Sequence, residues 1–224
     1  MTQDELIDSY KPMVDFIADI YGKNCEVILH DLRNLESSIV AIRNNHITGR
    51  NISDTVTDFA LEIVYNKDKY KDKKFITNYT GRTKDNSRIL RASTYFIRDK
   101  KNDLIGMLCV NVDITALHDA RSFIDELLME NLEQNIINNE KEKDEKDKKE
   151  NFGLSIDELV NSIINDVLSN NPIEPSRMLI EEKKEIVNRL NKKGVFLLKG
   201  SINQVASKLE VSEQTIYRYL KELE

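Results

Sequence analysis

Residues 200–223 read GSINQVASKLEVSEQTIYRYLKEL and contain two short amphipathic segments separated by an abrupt break. Apolar residues recur at helical spacing on one face of each segment: Ile202, Val205, Ala206 and Leu209 in the first, and Ile216, Leu220 and Leu223 in the second. Ser201 and Ser212 are suited to capping the two helices, and Gln204 would complete a capping box with Ser201. The sequence therefore predicts two helices joined by a tight turn at Glu210.

Two helices joined in this way have the anatomy of a helix-turn-helix, whose second helix enters the major groove of double-stranded DNA. An ordinary αα-hairpin packed on its neighbours would show the same spacing, and the pattern alone leaves that alternative open. In the DNA-binding interpretation, the candidate base contacts on the second helix are Glu213, Gln214, Thr215 and Arg218. The candidate phosphate contacts, which would position the helix without reading bases, are Lys199, Ser201, Tyr217 and Lys221.

The charge of the chain permits DNA binding without requiring it. The formal net charge is −6, which excludes a chain that is basic throughout. Between residues 172 and 224, ten Lys or Arg stand against eight Asp or Glu, a local excess of two positive charges. The chain shows no basic-then-apolar leader and no apolar run of transmembrane length, so we expect a cytoplasmic protein outside the membrane.

Sequence patterns typical of enzymes are not found. The chain contains no phosphate-binding GxGxxG or GxxxxGK[ST] motif, no HExxH and no GxSxG. Cys25 and His30 are an odd number of positions apart, so in a strand they point to opposite faces and do not form a nucleophile–base pair. Cys25 and Cys109 lack the spacing of a disulfide or metal site and are expected in the core. We therefore expect no catalytic activity, no metal site and no cofactor.

The first 116 residues alternate between helical and strand-like patterns typical of an α+β domain. Helical spacing covers residues 2–21, with a kink or short leading turn expected at Pro12, and resumes over residues 55–65. The strand-like runs are residues 25–32, 37–44, 75–83, 87–99 and 104–114. This order of helix, two strands, helix and three strands predicts a five-stranded antiparallel sheet with helices on one face.

Polar residues interrupt the apolar strands of this domain at Asp31, Ser93, Asn111 and Asp113. A buried polar group without a partner costs about 1–3 kcal/mol, so such groups indicate that something satisfies them. Contacts between strand ends and loops would do so, and so would a small polar metabolite held between the sheet and the helices; the sequence leaves both open. In the second case Arg50, in the loop after Gly49, would clamp an anionic group of the ligand.

A long helix is predicted to leave the last strand over residues 115–137. Its apolar stripe, from Leu117 to Leu132, fits either a dimer contact or packing back onto the sheet. We expect a homodimer or a higher even oligomer that reads a DNA site with dyad symmetry. Residues 140–150 are charged at every position, which predicts a solvated helix or a disordered tether. The predicted domains are therefore residues 1–116, a linker over 117–152, and residues 153–224.

The last of these regions, residues 153–224, is predicted to be an all-α domain. Ser155 and Glu158 form a capping-box pair at the start of a regular amphipathic helix. Ser176 is placed to cap the next helix, and Gly194 is placed to end it. Together with the helix-turn-helix, these helices are sufficient for a small DNA-binding domain that needs no disulfide or metal.

Four separate segments of the chain resemble the YheO-like PAS regulators, which carry a DauR-type helix-turn-helix. They are CEVILHDL (25–32), HITGRNISDTVTDFALEIV (46–64), RASTYFIRDKKNDLIGMLCVNVDIT (91–115) and VFLLKGSINQVASKLEVSEQTIYRYLKEL (195–223). The resemblance implies a bacterial transcriptional regulator with an N-terminal PAS sensor. Glu210 departs from the glycine that helix-turn-helix proteins often have in the turn, and a left-handed conformation there would cost about 1 kcal/mol.

Two functions from different classes fit these patterns. The first is a DNA-binding transcriptional regulator whose PAS-like domain senses a small polar metabolite. The second is a non-catalytic adaptor, in which the PAS half dimerises and the helical half docks a protein partner. An adaptor would present an apolar or acidic face on its last helix, whereas Gln214, Thr215 and Arg218 offer hydrogen bonds to bases, which favours the regulator. The ligand, the operator and the direction of regulation stay open.

Overall fold

The computed structural model describes residues 1–128, 149–169, 171 and 173–223. In chain order, the elements of the N-terminal half are α1 (Gln3–Asp8), α2 (Lys11–Tyr21), β1 (Cys25–Asp31), β2 (Ile39–Arg43), α3 (Asp58–Tyr65), β3 (Phe75–Thr83), β4 (Ile89–Arg98), β5 (Leu104–Asp113), α4 (Thr115–Leu127) and β6 (Lys149–Phe152). The C-terminal half contains α5 (Ile156–Ser169), α6 (Ile180–Lys192), α7 (Ser201–Lys208) and α8 (Glu213–Lys221). The predicted fold class, with an α+β N-terminal region followed by a helical C-terminal region, is confirmed.

The strands form one sheet in the order β2-β1-β5-β4-β3-β6. The five predicted strands pair antiparallel, as expected. The sixth strand, β6, was not predicted: it pairs parallel to the edge of β3, with Thr80 opposite Lys149 and Thr83 opposite Phe152. The last four residues of the stretch predicted as a linker therefore belong to the sheet, because an edge strand offers unpaired backbone groups to any extended segment that reaches it.

Helices cover both faces of this sheet, and the expectation of helices on one face is wrong. The reason lies in β1, where six successive residues, from Cys25 to His30, are buried. Because side chains alternate across a strand, Val27 and Leu29 form one apolar face, which α2 covers, while Ile28 faces α3 on the other. The chain breaks between α1 and α2 just before Pro12, as the sequence predicted.

The two halves pack against each other across α3 and β6. Buried residues of both halves form one continuous apolar core. Asn66 donates its side-chain amide to the Lys192 carbonyl at 2.9 Å, and Lys84 pairs with Glu158 at 2.6 Å. Gly194, left-handed with φ 76° at the end of α6, lies so close to the Leu61 carbonyl that a Cβ atom there would be only 3.0 Å from it.

The capping predictions in the C-terminal half have mixed outcomes. The Ser155–Glu158 capping box is present at the start of α5, with both reciprocal hydrogen bonds formed. Ser176 does not cap α6, because it lies in a 3₁₀ turn over Pro175–Arg177 and the chain stays extended until Ile180. Of the predicted helix over 115–137, α4 spans Thr115–Leu127 and Leu128 caps its end. Residues 129–137 of that prediction, and residues 140–148 of the predicted charged helix or tether, lie outside the described residues.

Both cysteines are buried, and neither forms a disulfide within the described part of the chain. Cys25 packs on the α2 side of the sheet, whereas His30 lies on the α3 side, as their spacing predicted. Burial raises the pKa of the Cys25 thiol to about 11, so the thiolate form is disfavoured. Among the described residues, no helix is both long enough and apolar enough to cross a membrane.

Candidate DNA-binding surface and polar interior

The helix-turn-helix predicted from residues 200–223 is formed by α7 and α8. Val205, Leu209 and Ile216 are fully buried where the two helices meet. The turn is a Schellman motif, in which the Val211 amide donates to the Ala206 carbonyl and Glu210 adopts a left-handed φ of 52°. Glutamate thus occupies a position that glycine adopts without steric strain.

We expect the substitution Glu210→Gly to raise the free energy of unfolding by about 0.5–1 kcal/mol, because it relieves the left-handed strain at a cost in backbone entropy. Urea denaturation of the full chain measures this change. The matched control is Lys208→Gly, the exposed last residue of α7 with right-handed backbone, where glycine should destabilise by up to about 1 kcal/mol. Equal destabilisation by both substitutions would show that the turn is not strained.

The start of α8 is capped as predicted, since the Ser212 hydroxyl accepts a hydrogen bond from the Thr215 amide at 3.2 Å. The inward face differs in part from the prediction: Ile216 and Tyr219 are buried, whereas Leu223 is exposed. Tyr219 was missed as a core residue, although its spacing of three from Ile216 was a usable signal. Its ring lies 5.7 Å from the Lys184 ammonium of α6, which fixes α8 against the domain.

The opposite face of α8 presents a row of exposed side chains at helical spacing: Gln214, Tyr217, Arg218 and Lys221. Arg218 lies over the Tyr219 ring, with 5.5 Å from its guanidinium carbon to the ring centroid. The other two predicted base contacts, Glu213 and Thr215, form side-chain hydrogen bonds within the helix-turn-helix. Glu213 accepts a hydrogen bond from Asn203 of α7 at 2.9 Å, and the Thr215 hydroxyl contacts Ser212.

Two of the predicted phosphate contacts, Ser201 and Lys199, lie outside the exposed row of α8. Ser201 is 1 % exposed and donates its hydroxyl to the Leu198 carbonyl at 2.8 Å, so it is not at the surface. It does not cap α7 either, because Gly200 occupies the cap position with φ 76°. Gln204 donates to Asp157 instead of completing a capping box. Lys199 is at the surface, but its amide donates to Glu36 of the N-terminal half at 3.1 Å.

The residues predicted to bind a ligand do not form one site. Asp31 lies at the end of β1 on the α2 side, where hydrogen bonds from Arg33 lower the pKa of its carboxyl. Ser93 is on the same side, as an acceptor for the Asn78 amide. Asp113, at the end of β5, is paired with Arg88 at 2.7 Å. Contacts between strand ends and neighbouring loops therefore account for these three residues.

Arg50 and Asn111, the other two, do come together on the α3 side of the sheet, around the carboxylate of Glu26. Glu26 is fully buried and accepts hydrogen bonds from the Thr48 hydroxyl at 2.6 Å and from the Asn111 amide at 3.1 Å. Burial raises the pKa of Glu26 above its ordinary value, while these hydrogen bonds and the charge of Arg50 oppose the rise. One signal in the sequence pointed to Glu26, namely a charged residue near the start of an otherwise apolar strand.

His30 extends this polar group of residues along β1, two positions from Ile28 on the same face. Burial lowers the pKa of His30 well below its ordinary value, and the nearby Arg50 charge lowers it further, so the ring is neutral. Its Nδ1 lies 2.9 Å from the Ser38 hydroxyl. Arg50 is itself buried and donates to the Thr55 carbonyl. We call Glu26, His30, Thr48, Arg50 and Asn111 the polar interior.

One atom of the polar interior lacks a hydrogen-bond partner among the described residues, the side-chain oxygen of Asn111. The Asn111 amide nitrogen is already used by Glu26, which fixes the oxygen as the free acceptor. Such an acceptor can receive an N–H or O–H group of a small molecule. Among all the residues that the structure describes, no group of three or more His, Cys, Asp or Glu side chains is arranged to hold a metal ion.

Comparison with known proteins agrees with this two-part architecture. Residues 1–129 match the family described as the YheO-like PAS domain, and residues 159–221 match a helix-turn-helix domain. The chain is 29% identical over 221 residues to an uncharacterized protein of Haemophilus influenzae, covering 97% of this chain and 91% of that one. It is 27% identical to the uncharacterized protein YheO of Escherichia coli, covering 99% and 86%. It is also 27% identical to the transcriptional regulator DauR of Pseudomonas aeruginosa, covering 99% and 96%.

Proposed function

We propose, from the premise that this chain belongs to the YheO-like PAS domain family, that its N-terminal half binds a small polar metabolite and thereby changes the affinity of its helix-turn-helix for operator DNA. That the chain is a DNA-binding transcriptional regulator follows from the family and from its C-terminal domain. The metabolite, its site and its effect on DNA are the proposed part.

The observation that supports ligand binding is the polar interior, and above all the unpartnered oxygen of Asn111. An unsatisfied buried polar atom costs about 1–3 kcal/mol, so a ligand that donates a hydrogen bond to it gains affinity from that contact alone. The charges nearby, on Glu26 and Arg50, can pair with a ligand that is itself polar or zwitterionic. The proposed ligand class is therefore a small metabolite with at least one N–H or O–H donor.

A chain of contacts links the polar interior to the helix-turn-helix and supports the proposed regulation. Arg50 donates to the carbonyl of Thr55, and the Thr55 hydroxyl donates to the carbonyl of Leu35 at 3.0 Å. The next residue, Glu36, accepts the backbone amide of Lys199, which directly precedes the left-handed Gly200 at the start of α7. A ligand that moves Arg50 would thereby move Glu36 and alter how α7 and α8 are held.

A thermal-shift screen of amino acids, nucleosides and organic acids on the full chain tests ligand binding. We expect a compound that raises the melting temperature of the wild-type chain and of the Asp31→Ala variant but not of Asn111→Ala or Glu26→Gln. Asp31→Ala is the matched control, because it removes a polar group of the same sheet on the other face. A compound that raises the melting temperature of Asn111→Ala but not of Asp31→Ala would place the site on the α2 side.

The same compound then tests the regulation in operator titrations. We expect it to change the operator affinity of the wild-type chain and to have a smaller effect on the Glu36→Gln variant, whose link to Lys199 is weakened. Glu181→Gln, an exposed carboxylate on α6, is the control and should respond as the wild type does. A bound compound that leaves operator affinity unchanged in every variant would exclude the sensor model while leaving DNA binding intact.

A further inference from the structure

A hydrogen bond between side chains connects the two helices of the helix-turn-helix on their exposed side. Asn203, in the first turn of α7, donates its side-chain amide to Oε1 of Glu213, the first residue of α8, at 2.9 Å. Both side chains are exposed. The second carboxylate oxygen of Glu213, Oε2, accepts no hydrogen bond from another described residue. This oxygen is therefore available to a partner outside the protein.

The backbone that carries this pair of residues is held on both sides. Gln204, the neighbour of Asn203, donates to Asp157 of α5 at 2.7 Å and ties α7 to the domain. Ser212 caps α8 directly before Glu213, and the Schellman turn fixes how the two helices meet. On so firm a backbone, one hydrogen bond is enough to restrict the rotamers of Glu213, so less side-chain entropy is lost when DNA binds.

Glu213 lies at the end of α8 that meets the bases. In a helix-turn-helix the N-terminal residues of the second helix contact base edges in the major groove. A carboxylate is repelled there by the phosphates of DNA. The partial positive charge at the N-terminus of α8 and the amide of Asn203 both reduce this repulsion. A base that donates a hydrogen bond to Oε2 would turn the remaining cost into a favourable contact.

The hydrogen-bonding groups of the bases determine which base suits this oxygen. In the major groove guanine presents the acceptors N7 and O6, and thymine presents the acceptor O4, so both repel a carboxylate. Adenine offers its N6 amino group, but the N7 acceptor lies beside it. Cytosine presents the N4 amino group as its only polar group. A carboxylate oxygen therefore matches cytosine better than any other base.

We propose that Glu213 reads a cytosine through Oε2, and that Asn203 is a positioning residue, which holds Oε1 and thereby aims Oε2 into the major groove. Asn203 acts through Glu213 and needs no contact with a base of its own. The inference rests on the DNA binding that follows from the family and is independent of the proposed metabolite. Its failure would leave the ligand proposal unaffected.

Selection from a library of randomised duplexes with the full chain tests the cytosine contact. We expect the duplexes bound by the wild type to share a cytosine at a position where those bound by Glu213→Ala show no preference. Changing that base pair should weaken binding of the wild type about 5- to 150-fold and of Glu213→Ala less than about twofold. Glu181→Ala removes an exposed carboxylate from α6 and should discriminate as the wild type does.

The positioning role is tested by Asn203→Ala on the same two duplexes. We expect this variant to lose about 2- to 12-fold of the discrimination at the cytosine position, the effect of one hydrogen bond. Its melting temperature and its affinity for a random duplex should not change. In the Glu213→Ala chain the same substitution should cause no further loss, because the two residues act as one unit. Ser207→Ala, at another exposed polar residue of α7, is the matched control.

Each part of the proposal has an outcome that would overturn it. If Asn203→Ala weakened binding to the selected and random duplexes equally, Asn203 would contact phosphates. Additive losses in the double variant would show that Asn203 acts without Glu213. If Glu213→Ala lowered the melting temperature and kept the base preference of the wild type, Glu213 would only stabilise the start of α8. A preference for guanine, thymine or adenine that disappears in Glu213→Ala would refute the assignment to cytosine.

Discussion

Replacing Phe152 with alanine is expected to lower the free energy of unfolding by about 3–5 kcal/mol, the loss typical of a buried aromatic side chain. Phe152 is 1 % exposed and lies in the apolar core shared by both halves. Its ring sits against Gly81 of β3, where a Cβ atom would overlap it. The substitution therefore removes the main apolar anchor of β6 and opens a cavity between the sheet and the C-terminal helices.

Urea denaturation monitored by circular dichroism measures this loss, with Phe16→Ala as the matched control. Phe16 is an exposed phenylalanine on α2, so its removal should change the free energy of unfolding by about 0.5 kcal/mol or less. If Phe152→Ala had as small an effect as Phe16→Ala, β6 would not be an integral part of the sheet.

Replacing Arg218 with alanine is expected to weaken binding to the operator by about 1–3 kcal/mol, or about 5- to 150-fold, and to relax specificity at one base. Arg218 stands in the exposed row of α8, and its guanidinium can form two hydrogen bonds with guanine. Its side chain is exposed, so the substitution should leave the fold intact. Binding to a random duplex should change little, because base contacts contribute only at the correct sequence.

Titrations of operator and random duplex, after genome-wide mapping has identified the bound sites, measure this difference. Arg177→Ala removes the same charge from an exposed turn outside the helix-turn-helix and serves as the control. Lys221→Ala should instead weaken binding to both duplexes equally and reduce the salt dependence of binding, as expected for a phosphate contact. If Arg218→Ala weakened binding to both duplexes equally, Arg218 would contact phosphates and not bases.

The features that the sequence predicted correctly depend on residues close together in the chain. The Ser212 cap, the Ser155–Glu158 capping box and the left-handed Gly194 each involve a span of at most four residues. Hydrophobic periodicity also acts over one element at a time, and it located the five antiparallel strands. Such local patterns are sufficient for the helix-turn-helix because its two helices are adjacent in sequence.

The polar interior could not be predicted in the same way, because its contacts connect distant residues. Glu26 meets Thr48 across 22 positions and Asn111 across 85, and both contacts depend on how the strands are ordered and in which register they pair. Asp31 and Asn111 looked equivalent as polar residues in apolar strands. Only the sheet shows that they point to opposite faces. For β6 the sequence offered a single apolar residue, which is too little for any periodic pattern.

The parallel pairing of β6 with β3 has a consequence for dissecting the protein. A C-terminal fragment that begins at residue 153 lacks β6, so a separate piece comprising residues 1–128 would keep a bare β3 edge that is prone to recruiting strands from other molecules. A fragment that begins at residue 149 would instead carry β6 with it and could complete the sheet of a separate piece comprising residues 1–128. We therefore expect that the chain can be split between residues 128 and 149 into two pieces that reassemble by strand complementation.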